Sequence, residues 1–426
     1  MSTIVSVPVP SEVRDLALAE RGKRRIEWAF QSMCVLQAVR KHFIKTQPFR
    51  GVRIGACLNV TAETANLMIT LRDGGANLAL CAANPLSTQD EVAASLVKDY
   101  SVPVFAIRGE IQERSQSHID AVLSYKPQIT MDDGYVLIAA LHSRRPEGLE
   151  SVLGGTEETT TGAIRLRRMA AEGSLRFPVI AVNDAQTKRL FDNRYGTGQS
   201  TIDAIIRCTN VLMAGLHVVV IGYGSCGRGV ALRARGLGAN VIVTEVDPIR
   251  AVMASMDGYR VTSMTEAATV GDVFVTVTGS RNVIGREHFE KFKNGAILCN
   301  SGHSNVEIDL ETLAQIASSR RPTRELVEEF AMRDGRRIYV LGEGRVINIA
   351  GAEGHPGSVM DMAFGNSALS AEYVLKNHSS LQRAVYGVPA DIDRQVAKMK
   401  LESMGIKIDR LTVEQEQYLA TWSAAE

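Results

Sequence analysis

Three glycines spaced as GxGxxG, Gly222, Gly224 and Gly227, follow the apolar run 218–221 and precede a segment of helical character. Each spacing has a mechanical reason. Gly222 allows a tight turn, Gly224 lets the backbone approach a pyrophosphate, and Gly227 lets helix and strand pack closely. The helix start, with Ser225, Cys226 and the nearby Arg250, presents free N–H groups and a partial positive charge to phosphate. Glu245 ends a second apolar run, 241–244, and lies 23 residues after Gly222. That is the place of a carboxylate accepting hydrogen bonds from a ribose diol, and it would repel a 2′-phosphate. The stretch 216–247 therefore reads as a dinucleotide site that prefers NAD to NADP.

Other chemistry-bearing residues are weaker when taken singly. Lys188 and Asp192 are four apart and would share one helix face, after Asn183-Asp184 and beside Asn193. A solvated ion pair explains that spacing as well as a functional one does. Asp132-Asp133-Gly134 closes a strand-like run, where open α/β sheets place ligands, although a helix cap has the same look. Thr156-Glu157-Glu158-Thr159-Thr160-Thr161-Gly162 sets three consecutive hydroxyls before a helix, as simple capping would. His303 follows a strand end, and His355 stands in a Gly-His-Pro turn. No HxxxH or His/Cys cluster supports a metal.

The elements that must position these residues alternate. Residues 11–47 show helical periodicity. Strand-like and helical runs then follow in turn: 52–58, 62–74, 77–82, 89–100, 102–106, and on through 115–143. After the glycine motif, strands are expected at 272–278, 296–300 and 337–341, each with a polar or Gly-rich exit, and a helix at 360–372. The fold class is α/β, with two doubly wound parallel-sheet domains around a cleft. One is expected over 1–183 and 357–402, a Rossmann NAD domain over 197–353, and a helical tail over 403–426.

Bulk composition excludes several functions. In 426 residues, Lys+Arg 48 against Asp+Glu 47 leaves a net charge of +1, so no long-range attraction to nucleic acid or anionic membrane is implied. Arg320-Arg321 and Arg336-Arg337 read as solvated helix ends or turns. Six cysteines without a CxxC pair read as reduced core residues. No run of 18 apolar residues occurs and the N-terminus lacks a leader pattern, so a cytoplasmic protein is expected.

Together, GTEETTTG (155–162), VNDAQTKRLFDNRYG (182–196), GYGSCGRG (222–229), VTEVDP (243–248) and AEGHP (352–356) resemble the S-adenosylhomocysteine hydrolase family over nearly the whole chain. The resemblance implies tightly held NAD, an adenine nucleoside substrate and a homotetramer. It also implies a cycle: oxidation at C3′, loss of the C4′ proton, elimination at C5′, addition of water and re-reduction. Carried over by position, Lys188 and Asp192 would bind and deprotonate the 3′-OH beside Glu158 and Asn183. Asp133 and His303 would move protons at C4′ and C5′. Thr61, Glu63 and His355 would hold the adenine. Thr159, Thr160, Thr161, Asn193, Thr278, Asn300 and Asn348 would join Glu245 around NAD.

Departures gather on the C5′ side. Asn59 stands where the family has histidine, and asparagine cannot titrate. Ser304 replaces an aromatic wall. Phe30 and Ser32 differ from the polar and acidic types usual in the first helix. This pattern favours a diverged nucleoside dehydratase, in which water leaves to give an exocyclic alkene, as in angustmycin-type antibiotic chemistry. The alternative is S-adenosyl-L-homocysteine hydrolysis with Asn59 as tolerated drift. A further alternative is a non-catalytic NAD-bound regulator.

Overall fold

The computed structural model describes residues 10–422. Its backbone is organised by two eight-stranded sheets. In chain order the strands are β1 (Glu12–Val13), β2 (Arg53–Leu58), β3 (Asn77–Ala82), β4 (Val104–Ala106), β5 (Ile129–Asp132), β6 (Gly154–Glu157), β7 (Val179–Ala181), β8 (His217–Ile221), β9 (Asn240–Thr244), β10 (Arg260–Val261), β11 (Val273–Thr276), β12 (Ala296–Asn300), β13 (Ala317–Arg324), β14 (Val327–Met332), β15 (Arg337–Leu341) and β16 (Val385–Gly387). The first sheet runs β1-β4-β3-β2-β5-β6-β7-β16 and the second β10-β9-β8-β11-β12-β15-β14-β13.

Six strands in each sheet share one winding order, with the first strand in the middle and the chain running outward on both sides of it. Strands buried on both faces become near-continuous apolar runs, and β8 is HVVVI, buried from Val218 to Ile221. Reversal of strand order beside β2 and β8 opens a crevice at their C-terminal ends, the switch point of a doubly wound sheet. The α/β class with two such sheets is as expected. Among the described residues, no helix is long and apolar enough to cross a membrane.

Three local expectations are corrected. The helical stretch 11–47 is a short strand followed by two helices, Ala19–Gln31 and Cys34–Thr46. The break leaves N–H groups of the second helix unpaired by its own turn. Asp361, from the helix Gly357–Asn377, accepts from Val35 N at 3.1 Å and Leu36 N at 2.8 Å. Arg320 and Arg321 lie in an antiparallel edge strand, where they pair with Glu328 and Glu329 across the hairpin β13–β14. Between the helices Gly357–Asn377 and Ala390–Ser403 the chain also adds β16 to the first sheet, a strand absent from the periodicity.

Asp361 is fully buried, and its third donor is Lys400 Nζ at 2.9 Å. Removing one partner strands the other charge and two N–H groups. Asp361→Ala is expected to lower the free energy of unfolding by about 3 kcal/mol. A shift in the denaturation midpoint, with the cofactor load unchanged, is the check; an unshifted midpoint would refute it.

Candidate active site

Consecutive parallel strands deliver the polar residues of the first sheet to one edge. Asn59 follows β2, Asp133 follows β5, Glu158 follows β6, and Asn183 lies two residues beyond β7. These four strands are neighbours in that order. From the second sheet, Thr278 lies two residues beyond β11, and His303 three beyond β12. The two sets face a common cavity of about 470 Å³. Asn59, Thr61, Glu63, Asp133, Glu158, Thr159, Thr160, Thr161, Asn183, Lys188, Asp192, Asn193, Gly224, Ser225, Cys226, Arg250, Thr278, His303, Asn348 and His355 all line it.

Lys188 is its centre. The short helix Gln186–Arg189 and a π-turn at Asp192–Gly196 follow each other, so Lys188 and Asp192 meet across a break rather than along a regular helix. The widened turn, with Gly196 N bonded to Phe191 O, is of the kind that recurs at functional sites. Lys188 Nζ donates to Asp192 Oδ1 at 3.0 Å, Asn193 Oδ1 at 2.9 Å and Asn183 Oδ1 at 3.3 Å. Burial alone would lower its pKa, but the Asp192 and Glu158 carboxylates push it up. Burial likewise works against an ionised Asp192, yet Lys188 and His355 hold that carboxyl well below its ordinary range. The buried ammonium–carboxylate reading of this pair therefore replaces the solvated one.

His355 Nδ1 lies 3.2 Å from Asp192 Oδ2, and its Nε2 lies 3.3 Å from Thr197 Oγ1 and 3.2 Å from Asn348 Nδ2. The imidazole thus joins the Lys188 cluster, and Thr197, unremarked in the sequence, completes its surroundings. At the ends of the neighbouring strands β2 and β5, Asn59 Nδ2 donates to Asp133 Oδ2 at 2.6 Å, and His303 Nδ1 stands 3.9 Å from Asp133 Oδ1. An asparagine at 59 keeps a donor on Asp133 while giving up a titrating ring.

The glycine motif behaves as its spacing implies. Gly222 has φ +100°, and a Cβ on Gly227 would overlap the Gly222 carbonyl oxygen. Gly224, in contrast, opens onto free space, with only Arg250 Nη1 at 3.9 Å, as a cradle for phosphate requires. Glu245 accepts from Tyr223 N at 2.7 Å, Val246 N at 2.7 Å and Asp247 N at 3.1 Å, which fixes its side chain at the end of β9. The buried Thr161 Oγ1 and Asn348 Oδ1 have no protein partner, so this wall offers polar groups to a bound nucleotide. The residues present fit NAD.

Asn300 differs from expectation. Its Nδ2 donates to the carbonyls of Gly302, Ser304 and Gly344, and its Oδ1 accepts from Gly302 N and Thr276 Oγ1. Fully engaged within the protein, it shapes the His303 loop and has no donor left for a cofactor. Ser304 does not line the cavity either, so its carbonyl's bond to Asn300 is its clear role. A second, larger cavity of about 740 Å³ adjoins it, sharing Glu63 and His355 and lined also by Arg21, Arg24 and Arg25 of the first helix and by Asp203, Arg207 and Glu353.

Comparison with known proteins decides the family. Residues 10–147 match the model "S-adenosyl-L-homocysteine hydrolase", and residues 193–354 match "S-adenosyl-L-homocysteine hydrolase, NAD binding domain". The chain belongs to the S-adenosyl-L-homocysteine hydrolase family. It is 60% identical to an adenosylhomocysteinase of Aquifex aeolicus, over 96% of this chain and 98% of that one. An adenosylhomocysteinase of Gloeobacter violaceus is 54% identical over 99% of both. An S-inosyl-L-homocysteine hydrolase of Methanocaldococcus jannaschii is 53% identical over 96% of this chain and 99% of that one. This family member is accordingly an enzyme, and NAD is its cofactor.

Glu158 gives the site a pH signature. Burial pushes its carboxyl up to about 8, against the opposing pull of Lys188 and a hydrogen bond from Ser367. The folded chain then holds a proton that an unfolded carboxyl, with its ordinary value of 4.5, has lost. The stability contributed by this group is full below the unfolded value and declines as pH rises towards the folded one. Glu158→Gln is expected to flatten that decline, by at most about 1.4 kcal/mol per pH unit. Denaturation midpoints measured from roughly pH 5 to 8 decide it, and identical slopes in both proteins would reject the assignment.

Proposed function

We propose that this enzyme hydrolyses a nucleosyl-homocysteine thioether, with S-adenosyl-L-homocysteine as substrate and adenosine and homocysteine as products. The observation that carries this reading is the buried Lys188–Asp192–Asn183–Asn193 cluster, set in one cavity with Asp133, Asn59 and His303 and the NAD-facing loops. Relatives at 52–60% identity bearing the name adenosylhomocysteinase support hydrolysis over loss of water, reversing the order in which the departures at Asn59 and Ser304 alone would place them.

The chemistry that NAD supplies when bound is a reversible two-electron oxidation of the sugar C3′ carbinol. The protein manages protons around it. Lys188, kept as an ammonium by Asp192, binds the 3′-oxygen and steadies the negative charge that develops there, while the 3′-proton leaves by way of His355 beyond Asp192. A C3′ ketone acidifies C4′–H, and Asp133 is the base for it, oriented by the Asn59 amide. His303 is the group that protonates the departing sulfur and later directs water to C5′. Glu158, neutral near pH 7, offers a donor beside the Lys188 cluster without adding a second negative charge. Thr61 and Glu63, which line the same cavity, are the groups assigned to the base. Burial raises the Glu63 carboxyl; ionised it accepts from an amino group, and neutral it donates to a carbonyl oxygen.

The second reading, dehydration of a nucleoside, rests on the absence of a titrating ring at Asn59. Product analysis separates the two. Homocysteine released from S-adenosyl-L-homocysteine at ordinary enzyme rates supports hydrolysis; an alkene product with no thiol supports dehydration; the inosine analogue, run alongside, reports on Glu63.

We also infer a homo-oligomer. Val246, Ile249 and Met256 on one surface, and Ile408, Leu411, Val413, Leu419 and Trp422 along the C-terminal segment, are exposed apolar groups that a second copy would cover. Lys188→Ala is expected to leave NAD bound while abolishing reduction of the nicotinamide by adenosine; loss of bound NAD would count against its role at the 3′-OH. Asn59→His is expected to raise thiol release if that position sets the leaving group, and an unchanged rate would remove it from the argument.

A further inference from the structure

Glu157 ends β6, one residue before Glu158. Alternation along the strand separates their fates, for Glu158 lines the cavity and Glu157 does not. The Glu157 side chain is fully buried. Its carboxylate accepts from Gly134 N at 2.8 Å, Tyr135 N at 2.9 Å, Thr159 N at 2.9 Å and Thr159 Oγ1 at 2.7 Å. Gly162 makes room for it, since a Cβ there would overlap the carboxylate.

The groups it joins are not incidental. Gly134 and Tyr135 both have left-handed backbones, φ +94° and +67°. For a tyrosine that conformation costs about 1 kcal/mol or more, which the two N–H bonds to one carboxylate offset. Asp133 opens this turn. A Cβ on Gly134 would overlap the His303 imidazole, so the same turn is the seat of His303. On the other side, Thr159 begins the helix Thr160–Ala171, and Thr160 Oγ1 accepts from Asn183 of the Lys188 cluster.

We propose that Glu157 is a positioning residue for the reaction, clamping the Asp133–Tyr135 turn to the Thr159 helix start so that Asp133 and His303 stand correctly for the C4′ and C5′ proton transfers. This rests on the reading of the cavity as a nucleoside oxidation–elimination site. Burial and the neighbouring Asp132 carboxylate push the Glu157 carboxyl up, and the donors around it oppose that push. Glutamine has nearly the same shape, but its NH₂ would face an N–H donor, so one arm of the fork must open. Gly134 and Thr159 share one carboxylate oxygen and Tyr135 N alone takes the other, so a glutamine oxygen can keep the Thr159 helix start, and Asn183 beyond it, in place while its NH₂ faces Tyr135 N and loosens the turn after Asp133. The 3′ chemistry is therefore spared, while the C4′ chemistry is not.

The test uses the full-length, NAD-loaded enzyme with adenosine as the probe. Glu157→Gln is expected to fold, to retain NAD and to reduce the bound nicotinamide within about threefold of the parent. Incorporation of solvent deuterium at C4′, followed by NMR, and overall turnover should both fall by about a hundredfold. Glu157→Asp, which keeps the charge on a shorter arm, should show the same split less severely, and it decides the matter if the glutamine variant does not fold. Exchange at C4′ within about threefold of the parent, or oxidation and exchange falling in equal measure, would overturn the proposal. Should the parent itself neither oxidise adenosine nor exchange C4′, the functional reading fails separately. Amide hydrogen exchange at Gly134, Tyr135 and Thr159 then tests the clamp alone, and unchanged protection in the variant overturns it.

Discussion

A lysine ammonium taken out of water must be paired, and the walls of this protein's cleft meet around that requirement. Lys188 spends its three donors on Asp192, Asn193 and Asn183. Asn183 comes from the exit of the first sheet, Asp192 and Asn193 from the turn entering the second unit, and His355, bonded to Asp192, from the chain as it returns. Breaking a buried pair of this kind typically costs about 3–5 kcal/mol. The same cluster therefore stabilises the crossing segments and presents a charged pair to the cavity.

Around that centre the two sheets make one crevice from two switch points. Each winds outward from its middle strand, so loops at the C-terminal ends of β2, β5 and β6 face those after β8, β11 and β12. The layout separates labour. Lys188, Asp192 and Asn193 lie with the crossing segments, whereas Asn59, Asp133 and His303 form a second group at strand ends. Glu307 repeats in the second sheet what Glu157 does in the first, accepting from Thr278 N, Thr278 Oγ1 and Gly279 N. Buried carboxylates that accept backbone N–H groups keep cleft loops in place without placing a cation in the cavity.

Much of this was readable from residue types, though unevenly. The GxGxxG turn was legible because its demands are local: a positive φ at Gly222, open space at Gly224 and close packing at Gly227 each follow from the lack of a Cβ. Asn300 was not legible, since its five internal bonds involve Gly344 and Thr276, which no spacing rule connects to it. Nor was the break between the first two helices, because the residue that satisfies the second helix, Asp361, lies more than three hundred positions away. Glu157 was overlooked beside Glu158 for a related reason. Adjacent carboxylates look alike in a sequence, and only the strand's alternation sends one to the cavity and the other to the backbone.

What the sequence determined by itself was the class of fold, the dinucleotide motif and the family, though not the reaction within it, because apolar periodicity, glycine placement and long polar motifs depend on near neighbours. Tertiary structure alone decided which polar residues line the cavity and which are spent on the backbone. It made Lys188–Asp192 a buried pair instead of a solvated one, turned Asn300 inward, and set Asn59 against Asp133. The physical reason is that burial and hydrogen-bond partners arise from strands and loops distant in the chain, and those two quantities govern whether a polar group holds a proton, gives it up or merely holds a loop.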